Sequence, residues 1–99
     1  MNAICSTAPV PIALFRIGRI VATPTAQESL SQADILAGIQ RHQAGDWGEV
    51  SEHDREANNR ALENGTRLVS AYHSAKRVRF WIITEADRSA TTVLMPQDY

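Results

Sequence analysis

Apolar and polar positions change rhythm twice along the chain. From Leu14 to Thr23 (LFRIGRIVAT), β-branched and aromatic residues gather ahead of Pro24 and predict a first strand, with Gly18 marking a bulge or an edge position. In SQADILAGIQRHQAG the period lengthens: Ile35, Leu36 and Ile39 share one helical face, and Gly45 supplies the stop. SEHDREANNRALENG repeats that rhythm in a more polar form, with Ala57, Ala61 and Leu62 as its buried stripe and Asn64-Gly65 as its end. After Arg67 the period falls to two. Leu68, Ser70 and Tyr72 alternate with Val69, Ala71 and His73, then Val78, Phe80 and Ile82 alternate with Arg79, Trp81 and Ile83, and TTVLMP closes the series before Pro96.

Three helix starts carry the same device, a hydroxyl three residues before an acid: Thr25…Glu28, Ser31…Asp34 and Ser51…Asp54. The hydroxyl accepts from a free N–H of the first turn and the acid reaches back, each cap contributing about 1 kcal/mol. These elements predict an α+β domain over residues 14–99: an N-terminal strand, two or three helices, then a three-stranded antiparallel meander, with the helices packed on one sheet face. Residues 1–13 read as a flexible N-terminal arm, because Pro9 and Pro11 prevent a helix there.

Composition then narrows the function. The chain has 99 residues, enough for one modest core. A net charge of −1 gives no bulk attraction to nucleic acid or to an acidic membrane. The charge is nevertheless polarised. Asp46, Glu49, Glu52, Asp54, Glu56 and Glu63 stand in one stretch, and Arg67, Lys76, Arg77, Arg79 and Arg88 in the next. That is either an acidic helix beside a basic sheet edge or a basic strip for a phosphate backbone. The single cysteine, Cys5, permits no intrachain disulfide and fits a cytoplasmic setting. No apolar run reaches the ~18 residues a membrane span needs, and the arm lacks the charged start of a secretion signal.

Chemistry is sparse. His42, His53 and His73 have no zinc spacing, DWGEVSEHD lacks the alternation of a calcium loop, and there is no phosphate-cradling loop, so neither metal nor cofactor is expected. The densest polar cluster lies between the last two strands. An acid–base reading takes Glu85 or His42 as base and Arg88 as the cation for a charged phosphorane. Asp46, Trp47, Tyr72, Asp87 and Thr91 are the accompanying binding candidates. Several have a structural counterpart: Arg88 as partner of Glu85 or Asp87, Thr91 as a strand former, Trp47 as a plug over the core, and His42 as a hydrogen-bonded surface residue on the helix flank.

Taken together, RHQAGDWG (41–48), RLVSAY (67–72) and WIITEADRSATTVLMPQDY (81–99) resemble a small family of bacterial proteins carried on plasmids and integrated elements. Some of its members bear the label of type I restriction–modification subunits. The resemblance covers roughly residues 15–99 and implies a mobile-element setting without implying a reaction. The restriction–modification label does not suit the chain, which is too short for a cofactor-binding domain and a DNA-reading module. The preferred reading is an accessory factor that binds a host or element-encoded protein partner. The alternative is a small metal-independent ribonuclease with RNA as substrate. A homodimer through an exposed sheet edge is a third expectation, because RVRFWII is apolar on both faces.

Overall fold

The computed structural model describes residues 13–99, so Cys5 and all but the last residue of the expected arm lie outside the described residues. Strand β1 (Arg19–Ala22) leads into three helices, α1 (Pro24–Ser29), α2 (Gln32–Gln43) and α3 (Glu52–Asn64). Strands β2 (Leu68–His73), β3 (Arg79–Thr84) and β4 (Ala90–Leu94) follow, and a 3₁₀ turn spans Pro96–Asp98. The α+β fold class and the antiparallel meander stand as the alternation implies. The sheet order is β1-β4-β3-β2, and β1 lies parallel to β4, so the sheet is mixed.

Local chemistry explains the boundaries, with two corrections. The first helix is capped by Thr23, not Thr25: the Thr23 hydroxyl accepts from the Ala26 N–H at 3.1 Å, and Pro24 supplies the first helical residue. Ser31 and Asp34 form the expected reciprocal box, and Ser51 accepts from the Asp54 N–H. The first strand starts at Arg19, later than the apolar cluster suggests. Gly18, at φ +61°, brings the chain against the backbone of Ser89, where a Cβ would lie 2.4 Å from a carbonyl oxygen.

The pleat sorts the side chains. Leu68, Ser70, Tyr72, Phe80, Ile82, Thr84, Thr91 and Val93 point to one face and are all buried. Helix α2 packs on that face through Ile35, Gly38, Ile39 and His42, at i, i+3, i+4 and i+7. Leu36, expected on this stripe, is turned to solvent and 58% exposed. Gly38 permits the approach, since a Cβ there would meet Phe80 at 2.9 Å. Helix α3 packs against the outer edge of β2. Buried Asn58 accepts from the Val69 N–H at 3.1 Å and donates to its carbonyl at 2.8 Å, as a neighbouring strand would. One step along, the Ala71 N–H donates to the Trp47 carbonyl and the Glu49 N–H to that of Ala71.

Gly48 and Gly65 separate two effects of glycine. Both have positive φ, +76° and +73°, but a Cβ on Gly48 would lie 2.0 Å from the Ala71 oxygen, whereas Gly65 faces open space. Gly65→Ala is expected to cost about 1–2 kcal/mol from backbone conformation alone. Gly48→Ala adds a steric penalty of about 1–3 kcal/mol. Urea unfolding of the two variants side by side checks that order.

Candidate functional site

His42 lies at the centre of a buried polar chain. Its Nδ1 is 2.6 Å from the Ser70 hydroxyl and its Nε2 is 2.9 Å from that of Thr84. Thr84 and Thr91 are 2.7 Å apart, and Thr91 donates to the Ile17 carbonyl at 2.7 Å. A carbonyl only accepts, so the donors run in one direction: Thr91 to Ile17, Thr84 to Thr91, the His42 Nε2–H to Thr84, and Ser70 to Nδ1. Every member of the chain is then satisfied with a neutral imidazole. The sequence reading places His42 on the helix flank. The structure instead encloses it completely, with Phe15 and Trp47 edge-on to its ring at 5.1 and 5.7 Å. Burial, assisted by the nearby Arg88 cation, lowers its pKa from 6.5 to about 4.

The β3–β4 connection is organised by Arg88. At φ +62° its guanidinium turns inward and donates to four backbone carbonyls: Thr66 at 2.7 Å, Ala61 at 3.0 Å, Glu85 at 3.1 Å and Ala86 at 3.3 Å. It also lies 5.8 Å from the Phe15 ring centroid. The expected pairing with Glu85 or Asp87 carboxylates is absent among the described residues; Arg88 instead joins the C-terminal end of α3 to the hairpin. Asp87 accepts from the Ser89 N–H at 3.0 Å, and hydrogen bonds from Ser89 hold its carboxyl below the usual range. The Glu85 side chain is exposed. Glu85, Arg88 and His42 therefore do not converge on one accessible surface.

The remaining binding candidates form a structural corner. Arg41 holds Asp46 by two bonds, at 2.7 and 3.2 Å, and lowers its carboxyl pKa. The same guanidinium lies 4.5 Å from the centroid of the Tyr72 ring, whose hydroxyl donates to the Asp46 carbonyl at 2.5 Å. Burial pushes the Tyr72 hydroxyl up to about 12. Trp47 is buried and donates from its indole N–H to Asn59 at 3.0 Å. Thr91 belongs to the His42 chain. Among the described residues, no cluster of His, Cys, Asp and Glu is grouped to hold a metal.

The open feature is on the other face of the sheet. A groove of about 490 Å³ runs there, floored by Val69, Trp81 and Ile83 and walled by Asp54 on α3 and by Arg67 and Arg79. Tyr99 folds over one end, edge-on to Trp81 at 5.4 Å, with its hydroxyl accepting from Arg67 at 2.8 Å. None of the groove residues is among the catalytic or binding candidates of the sequence, although Arg67 and Arg79 belong to its basic strip and Trp81 and Ile83 to the RVRFWII segment. The alternation carries the signal, since Trp81 shares its face with Val69 and Ile83 beside charged neighbours. The buried chain also had a signal: Ser70 and Thr84 are hydroxyls on otherwise apolar strand faces, and His42 follows Ile35 and Ile39 at core spacing.

No protein-family model, curated protein or solved structure matches the chain. The local geometry therefore carries the functional reading.

Two outcomes follow from the buried groups. Below pH 6.5 the unfolded chain protonates His42 while the folded chain resists until about 4, so stability falls as pH drops through that window. The loss is about 3 kcal/mol, and it flattens in His42→Gln when urea midpoints are followed against pH. Arg88→Lys, which keeps the charge but loses the planar fork, is expected to lower stability by about 2 kcal/mol in thermal unfolding.

Proposed function

We propose that the protein is a binding factor of a mobile genetic element, acting in the cytoplasm by occupying a protein partner. The observation that supports this reading is where the polar side chains are committed. His42, Tyr72 and Thr91 are engaged inside the fold, and Arg88 and Asp46 are held by backbone carbonyls and by Arg41, while the accessible groove on the outer sheet face combines an apolar floor with charged walls. Such a surface offers the contact area and orientation that recognition needs. The sequence resemblance supports the mobile-element setting. No helix among the described residues is long and apolar enough to cross a membrane.

The test is affinity capture from bacterial host lysate at several salt concentrations, followed by reconstitution from purified components. One partner retained in stoichiometric amount and rebinding when pure is the expected result. Its absence at every salt concentration overturns the proposal. RNA cleavage by the purified protein that disappears in a folded Glu85→Gln variant would replace it with the ribonuclease reading.

A further inference from the structure

The groove itself constrains what it can hold, and this inference rests on the binding reading above. Arg67 precedes β2, and Arg79 stands opposite His73 at the other end of that strand. Six residues of strand separate their levels, roughly 20 Å at about 3.4 Å per residue. The groove is therefore elongated, its length on the order of six extended residues of peptide, with Tyr99 already at the Arg67 end. Between the two arginines lie Val69, Trp81 and Ile83, an apolar floor that a large side chain can cover.

The protein already displays the chemistry that one end accepts. The Tyr99 ring lies against Trp81, and its oxygen meets Arg67 at 2.8 Å, with the guanidinium 5.9 Å from the ring centroid. Tyr99 is 69% exposed, so it covers only an edge of Trp81. At the other end Arg79 is exposed and makes no ion pair or side-chain hydrogen bond among the described residues. An aromatic side chain with an acidic group beside it repeats at Arg79 what Tyr99 does at Arg67. The facing wall selects among polymers. Asp54 on the α3 wall opposes a chain carrying a negative charge at every unit but accommodates a peptide with a single acid at Arg79, where the nearby Glu49 carboxylate is already taken up by His73 at 2.7 Å.

We propose that the groove between α3 and the outer face of β2–β3 binds an extended peptide segment of a partner protein, with an aromatic residue on Trp81 and an acidic residue on Arg79.

A displayed library of random dodecapeptides, selected against the immobilised full chain, tests this. Selection is expected to enrich an aromatic residue next to an acid. The synthetic winner should shift the indole signal of Trp81 and leave that of buried Trp47 in place. Arg79→Glu, a surface change, should weaken binding about tenfold, or about 1.4 kcal/mol. A peptide with Lys in place of the acid should restore it. No enriched sequence, or winners indifferent to Arg79→Glu, overturns the proposal, as does salt-sensitive binding of a uridine dodecamer that perturbs the same indole. A captured partner that still binds Arg79→Glu normally removes the groove assignment and leaves the binding reading standing. Failure to capture any partner removes the binding reading itself.

Discussion

His42 reaches from α2 into the sheet and, through three hydroxyls, ties together β2, β3, β4 and the segment before β1. The arrangement holds only for a neutral ring in one tautomer, because the chain ends on a carbonyl that cannot donate. An enclosed imidazole lacking one partner would leave a polar group stranded away from water, at a cost of about 1–3 kcal/mol. The network thus demands that all four segments be in register together. Gly38 sits one turn before His42 and makes the approach close enough for the ring to reach. Packing and hydrogen bonding specify the same geometry here, and consistency of that kind selects one fold over near alternatives.

Much of the fold was legible in the sequence because alternation and capping are local. The period-two stretches correctly sort Leu68, Ser70 and Tyr72 from Val69, Ala71 and His73, and the Ser31–Asp34 box marks the start of α2. The parallel placement of β1 beside β4 was not legible. It depends on a long-range choice that no neighbouring residue encodes, including the close contact of Gly18 with Ser89. The position of Leu36 was misread because a helical stripe has a centre, and that centre was taken one residue too early; His42 then fell outside it.

The candidate site was less legible than the fold, for a related reason. Polar residues in TEADRSATT draw attention as a cluster, but a cluster in sequence says nothing about whether its groups face outward or bond to backbone. Arg88 is the clearest case. Its charge suggests a phosphate, whereas its guanidinium is directed at carbonyls left over at the end of α3 and in the turn. The accessible charges lie elsewhere, at Arg67, Arg79 and Asp54, spread over three elements and brought together only by the sheet and the helix at its edge.

The two margins of the sheet are finished differently. On β2, Asn58 and the residues around Gly48 take up the outward N–H and C=O groups of Val69 and Ala71, so no further strand can be added there. On β1, among the described residues, only the Ala22 carbonyl is covered, by Gln27 at 3.1 Å, and Ile20 beside it is 49% exposed. A sheet with one sealed margin cannot propagate head to tail. Any edge pairing between copies must join β1 to β1 about a two-fold axis, and it terminates at two chains instead of growing into a filament.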